Sequence, residues 1–226
     1  GGSVGKVERT PAGRESCTAV HDCVHSPGAA RNRDVMANVL WGVRPDQAEV
    51  LEIGSGTGEH AVAACHLRPD ITWQPSDPDR EARASQAAWA SDASGAIRPP
   101  LEIDLLRPET VEAIDGFDAL VCMNVIHIAP WAVAEALVAL AARKLRPGGV
   151  VVLYGPYKLG KATAPSNLQF DASLKSRDPA WGVRDLEAVI GLFAGQGLVL
   201  DARVEMPANN LSLVFVPSSS RPGSAR

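Results

Sequence analysis

Glu49-Val50-Leu51-Glu52-Ile53, followed by Gly54-Ser55-Gly56-Thr57-Gly58, is the stretch on which the fold turns. The first five residues are an apolar run of strand length, and Glu59 to Leu67 behind the glycines is Ala-rich and reads as a helix. Glycine lets the backbone turn, or pass close to a ligand, with no Cβ in the way. The helix start that follows presents unpaired N–H groups. A tight strand-to-helix turn with no ligand uses the same residues, so the loop alone does not fix a function.

The same alternation continues outward. Ile71 to Gln74 reads as a second strand closing on Pro75-Ser76-Asp77, and Arg80 to Ala90 as a helix. Leu101 to Asp104 is a short third strand, followed by a helix over Pro108 to Ile114. Phe117 to Val125 reads as a buried central strand. A helix follows from Trp131 to Lys144, and Leu145-Arg146-Pro147-Gly148-Gly149 leads into a strand over Val150 to Tyr154. Upstream, Ala29 to Val43 suits a helix with Met36, Val39 and Leu40 on one face. Strands alternating with helices predict an α/β domain, with a mostly parallel sheet covered on both faces. Residues 155–185 are polar and read as irregular, and Leu186 to Phe193 reads as a helix. Val199–Met206 and Leu211–Val216 form a hairpin-like pair. Residues 1–27 read as a flexible leader, 28–217 as the folded domain and 218–226 as a disordered tail.

Composition narrows the function classes. Hydrophobic residues make up 46% of the chain, charged residues 21%, and the net charge is −4. No Lys/Arg run points to a nucleic acid, and no apolar stretch has membrane-spanning length. Cys17, Cys23, Cys65 and Cys122 form no CxxC pair. They read as free thiols of a cytoplasmic protein, with a Cys17–Cys23 bridge as the alternative. No HExxH and no clustered His/Cys set suggests a metal, and no G-x-S-x-G elbow suggests a serine hydrolase.

Acids accompany the glycine loop. Glu52 stands two residues before Gly54, where it would face a cation better than a pyrophosphate. Asp77 closes the second strand, where an acid can take two ribose hydroxyls, and Asp104 closes the third. Open α/β sheets bind ligands along that rim. A dinucleotide fingerprint begun at Gly54 fails, because Glu59 takes its third small position. Begun at Gly56 it fits through Gly58 and Ala61, so an NAD-dependent oxidoreductase stays open as an alternative. A non-catalytic cofactor-binding or interaction protein is the other.

Leu51-Glu52-Ile53-Gly54-Ser55-Gly56-Thr57-Gly58, Asp77, Asp104 and Leu145-Arg146-Pro147-Gly148-Gly149 together resemble the ordered motifs of class I S-adenosylmethionine-dependent methyltransferases. The resemblance implies a Rossmann-like, mostly parallel seven-stranded sheet whose last strand is antiparallel. It implies S-adenosylmethionine as cofactor, with Glu52, Gly54, Ser55, Gly56 and Gly58 around its methionine part. Asp77 would lie on the ribose, Asp104 and Leu105 near the adenine, and Asn124 beside the same ligand. A narrower resemblance rests on Arg31-Asn32-Arg33-Asp34, Trp73-Gln74-Pro75-Ser76-Asp77, His127-Ile128-Ala129-Pro130-Trp131, Tyr154-Gly155-Pro156-Tyr157, Ser166-Asn167, Phe170-Asp171, Trp181-Gly182-Val183-Arg184-Asp185 and Met206-Pro207-Ala208-Asn209-Asn210. These runs resemble the methyltransferase-like family known as domain of unknown function 938. Val35 departs from the proline expected there.

Methyl transfer from a sulfonium needs a held nucleophile, and needs a base only when the acceptor arrives protonated. His127, just past the fourth predicted strand, is the candidate base, with an ordinary pKa of about 6.5. Its other reading is a loop-bonding histidine. Asn124 can orient either ligand or cap the strand end, and Tyr157 can wall an acceptor pocket or pack. The polar segment 155–185 suits an acceptor-site insertion or lid. Asn167, Asp171, Arg177, Trp181 and Arg184 are its candidate acceptor contacts, together with Asn32. The competing reading is a self-contained surface subdomain held by pairs such as Arg177 with Asp171. The expected partner is a small-molecule methyl acceptor, with oxygen favoured over nitrogen or sulfur.

Overall fold

Strand-forming runs of Val, Leu and Ile assemble into one sheet in a computed structural model that describes residues 32–91 and 96–220. The strands are β1 (Glu49–Ile53), β2 (Thr72–Gln74), β3 (Phe117–Met123), β4 (Leu145–Lys158), β5 (Arg184–Asp185), β6 (Leu198–Met206) and β7 (Asn210–Pro217). The order across the seven-stranded sheet is β2-β1-β3-β4-β7-β6, with β5 paired to the far end of β4. β1 to β4 run parallel, and β7 lies antiparallel between β4 and β6. This is the Rossmann-like arrangement expected, including the antiparallel last strand.

The helices are α1 (Asn32–Gly42), α2 (Glu59–Leu67), α3 (Arg80–Ser91), α4 (Pro108–Val111), α5 (Trp131–Lys144), α6 (Pro165–Arg177) and α7 (Leu186–Ala194). Strand side chains alternate between faces, and two cores result. Val50, Ala119, Val121, Val150 and Val152 meet α1, α2 and α3 on one face. Leu51, Leu120, Cys122, Val151 and Leu153 meet α4, α5 and α7 on the other. Met36, Val39 and Leu40 of α1 are buried in the first core, as their spacing predicts. Phe193 of α7 stacks on Phe215 of β7 in the second, with ring centroids 3.8 Å apart.

Two expectations need correction. The third strand is not a ladder over Leu101 to Asp104; the chain meets β2 and the residues just past it through isolated parallel bridges at Trp73–Ile97 and Ser76–Leu101. Pro99 and Pro100 lie between those bridges and have no N–H to donate, so a continuous ladder cannot form. Segment 155–185 is not irregular either. β4 runs on to Lys158, and residues 165–177 form α6. The buried stripe of α6 is Asn167, Asp171 and Leu174, at helical spacing, but two of the three are polar. A hydrophobicity pattern therefore misses it. The expected leader, the far end of the tail and the side chain of Asn32 lie outside the described residues.

Candidate functional site

The glycine loop is held from beneath. The Ser55 N–H donates to Ser76 O at 2.8 Å, the Ser76 N–H to Ser55 Oγ at 3.0 Å, and the Ser76 hydroxyl to Glu52 O at 2.6 Å. Gln86 Nε2 of α3 donates to Gly56 O at 2.8 Å, and the Ser85 hydroxyl to Thr57 O at 2.7 Å. Gly54, Gly56 and Gly58 all have positive φ, which a side chain would resist. At Gly54 a Cβ would stand 2.6 Å from Val125 Cγ2, whereas at Gly56 it would meet nothing within 4 Å. The first glycine lets the loop close onto the segment after β3, and the second leaves open space above the loop.

Asp77 lies beside that space. Its Oδ2 accepts the Gly56 N–H and its Oδ1 the Asp79 N–H, both at 3.0 Å, so loop and carboxylate are set together. Partial burial raises its pKa from 3.8, outweighing those two hydrogen bonds. Asp104 closes a turn, with Oδ1 accepting the Leu106 N–H at 3.0 Å, and the Leu105 side chain is buried in the second core.

Glu52 is fully buried, and its position differs from the expected one. It shares a face of β1 with Val50, so it points into the α1–α3 layer. There Oε1 accepts the Trp73 Nε1–H at 3.2 Å, and Oε2 lies 3.4 Å from His60 Nδ1. The group facing Glu52 is thus an imidazole of this chain. Burial lowers the His60 pKa, but the bond and charge of Glu52, with Glu59, raise it overall.

A cavity of about 410 Å³ opens beside Asn124, the residue before the Val125 that approaches Gly54. It is lined by Asn124, His127 and Ile128 of the segment after β3, Pro156 of β4, Ser166, Asn167 and Phe170 of α6, Ala208 of the β6–β7 turn and Asn210 at the start of β7. Asn124, Ala208 and Asn209 have φ between 56° and 59°. Non-glycine residues hold that conformation at a cost of 1–3 kcal/mol each as an order of magnitude, and such strain gathers at functional sites.

His127 is 3% exposed, and its ring meets Phe170 edge-on at 5.6 Å. Among the described residues no side-chain hydrogen bond ties either ring nitrogen. Burial, reinforced by the charge of Arg184, lowers its pKa from 6.5 to about 4. The ring is neutral at pH 7, a weaker base than an ordinary histidine. The Gly182 N–H donates to His127 O at 3.0 Å, which fixes the backbone there.

The other candidates separate into two groups. Asn167 lines the cavity, and its Nδ2 donates to Tyr157 O at 3.2 Å and Asn209 O at 3.1 Å. Tyr157 is displaced from its expected role: its ring is 2% exposed and packs in the second core, where burial pushes the phenol well above 10. Asp171 does not pair with Arg177. Its Oδ2 takes Lys158 Nζ at 2.8 Å and Lys175 Nζ at 3.0 Å, and its Oδ1 the Val183 N–H at 2.9 Å. Burial alone would raise its pKa, but the two lysines hold it below 3.8. Arg177 instead lies over the Trp181 ring at 5.2 Å. Arg184 donates to the carbonyls of Ile126, Ala129 and Ala180. None of Asp171, Arg177, Trp181 and Arg184 lines the cavity: Asp171 and Arg184 tie neighbouring segments together, and Arg177 and Trp181 meet each other.

Pro156, Ser166, Phe170 and Asn210 line the cavity without having been singled out, and His60, Trp73 and Ser76 support the loop. All but His60 fall inside the sequence runs that carried the narrower resemblance, which was the signal available for them. Among the described residues no group of three or more His, Cys, Asp and Glu is placed to hold a metal ion, and no helix is long and apolar enough to cross a membrane.

Solved structures share this fold. An O-methyltransferase family protein from Burkholderia thailandensis superposes with a TM-score of 0.71 at 17% identity, over 86% of this chain and 58% of that one. An O-methyltransferase family 2 protein from Planctomyces limnophilus, in complex with apigenin, gives 0.70 at 20% identity, over 83% and 57%. Human N-acetylserotonin methyltransferase, in complex with SAM, gives 0.66 at 14%, over 83% and 52%. The present chain spans little more than half the length of each, and at these identities the likeness is one of fold. Residues 24–217 match the model of a family described as protein of unknown function (DUF938). That match takes in every strand of the sheet and all the walls of the cavity, and on it the chain belongs to the DUF938 family.

Proposed function

We propose that this chain is an S-adenosylmethionine-dependent methyltransferase acting on a small molecule held in the cavity, with oxygen the favoured acceptor atom. One observation carries the reading: Gly54 of the loop and Val125 beside Asn124 are in direct contact, so a ligand above the loop and a ligand in the cavity would share one wall. The residues present fit the cofactor. The open space over Gly56 leaves room at the loop backbone, and Asp77 keeps carboxylate lone pairs for hydroxyl donors beyond its two backbone bonds. Gly54, Gly56, Gly58, Asp77 and Asn124 would hold it, with Asp104 further along the rim. Glu52 and Ser55 act from below by fixing the loop. When bound, S-adenosylmethionine supplies an electrophilic methyl group, and its transfer forms a bond to the acceptor while the carbon–sulfur pair stays on sulfur.

The chain's own residues do the remaining work. Phe170 and Ile128 keep water from the inner cavity, Asn167 and Asn210 position the acceptor, and neutral His127 accepts a hydrogen bond from a hydroxyl and can take its proton. Residues 28–217 constitute the catalytic domain in this reading, and 155–185 the acceptor-site insertion. Isothermal calorimetry of the purified chain with S-adenosylhomocysteine and with NAD tests it. Micromolar binding of the first and none of the second is expected; the reverse would sink the proposal.

A further inference from the structure

Among the described residues, those that line the cavity carry no formal charge, and this limits what can occupy it. We propose that the cavity receives an uncharged, ring-bearing alcohol or phenol and rejects carboxylates, phosphates and ammonium compounds of the same shape. This rests on the reading above that the acceptor sits there. Among the described residues no Asp, Glu, Lys or Arg lines it. Asn167 commits its amide hydrogens to Tyr157 O and Asn209 O, and Asn210 commits its own to Tyr154 Oη and Pro207 O, each at 3.1–3.2 Å. What both side chains still offer a ligand is an acceptor oxygen.

A hydroxyl group matches such a wall because it brings its own proton. An anion would meet those oxygens with lone pairs against lone pairs, and a buried charge without a counter-ion is costly. The donors that remain, on Ser166, Asn124 and one nitrogen of His127, are neutral, in keeping with the lowered His127 pKa. Arg184 spends its donors on three carbonyls, and Lys158 and Lys175 meet Asp171, so none of these cations is placed to hydrogen-bond an anion in the cavity. The same lysines occupy the Asp171 carboxylate, which denies an ammonium that partner. Ile128, Pro156, Phe170 and Ala208 supply the apolar surface that calls for a ring.

The test compares ligands of one shape: 2-naphthol, 2-naphthoate, 2-naphthylmethylammonium and 2-methylnaphthalene. Dissociation constants are measured by ligand-observed NMR on the whole chain. We expect 2-naphthol to bind at least tenfold more tightly than either ion, and several-fold more tightly than the hydrocarbon. Ser166→Lys or Ile128→Lys, both at exposed lining positions, should reverse the order of naphthol and naphthoate. The proposal is overturned if either ion matches naphthol in the wild type, if naphthol does not bind, or if neither lysine changes the ratio. Calorimetry with S-adenosylhomocysteine on the same sample separates the two readings. Loss of that binding with naphthol preference intact would defeat the methyltransferase and leave the charge selection standing.

Discussion

Replacing Gly54 with Ala tests whether the glycine loop is positioned by its contact with Val125. The backbone at Gly54 has φ +68°, which costs an alanine about 1–2 kcal/mol. The added Cβ would also stand 2.6 Å from Val125 Cγ2, and relieving such overpacking costs about 1–3 kcal/mol more. Together these predict a loss of about 2–5 kcal/mol, a large part of the roughly 5–15 kcal/mol that stabilises a domain. Gly56→Ala shares the positive φ but meets no neighbour, so it should show only the backbone cost of about 1–2 kcal/mol. Val125→Ala removes half-buried methyls at about 1 kcal/mol and also removes the obstacle. The double variant Gly54→Ala/Val125→Ala should therefore lose about 1–3 kcal/mol less than the two single losses combined. Urea denaturation with linear extrapolation measures all four proteins. Additivity within about 0.5 kcal/mol would refute the shared wall, since uncoupled sites behave that way.

Asp77→Ala should weaken S-adenosylhomocysteine binding by about 1.5–3 kcal/mol in calorimetry, the worth of hydrogen bonds to a charged group; unchanged affinity would remove Asp77 from the site. His127 is neutral in the fold and protonates at about 4, against 6.5 when unfolded, so the unfolded chain takes up the proton first. Its contribution to stability is complete above pH 6.5 and is lost as pH falls toward 4. At about 1.36 kcal/mol per pH unit that loss approaches 3 kcal/mol, and His127→Gln should lack it. An imidazole resonance titrating near 6.5 would contradict this. Asp171→Ala should cost about 1–3 kcal/mol in urea denaturation, chiefly by leaving the buried Val183 N–H without its acceptor. A loss below about 0.5 kcal/mol would mean that Asp171 does not hold α6 to the 181–185 segment.

The parallel core of the fold was legible because its signals are local. Alternating apolar runs marked β1, β3 and β4, and the glycines marked the loop between β1 and α2. What escaped depends on partners distant in sequence. α6 buries Asn167 and Asp171, and only the fold brings Tyr157 O, Asn209 O, Lys158 and Val183 N to meet them. Glu52 illustrates the same limit: its place before the glycines suggested a ligand contact, yet strand alternation turns it toward Trp73 and His60. His127 was found by its place after a strand, but its basicity is set by burial and by Arg184, which lies far along the chain. Tyr157 lies in the next strand, β4, and position alone could not show that its ring enters the second core.

β5 pairs with the end of β4 through Tyr157–Arg184 and Lys158–Asp185, so the excursion from 159 to 183 leaves and rejoins the sheet at adjacent points. Its polar anchors include the Asp171–Lys158 ion pair, the Asn167 bonds to Tyr157 O and Asn209 O, the Gly182 bond to His127 O and the Arg184 bond to Ala180 O. A segment with neighbouring ends can be exchanged without rerouting any strand. It contributes Ser166, Asn167 and Phe170 to the cavity and no residue to the glycine loop. Grafting a different helix between Lys158 and Arg184 would thus recast one wall of the cavity while leaving the loop as it stands. The architecture separates the glycine loop from one wall of the cavity, and that makes this helix the natural cassette for redesign.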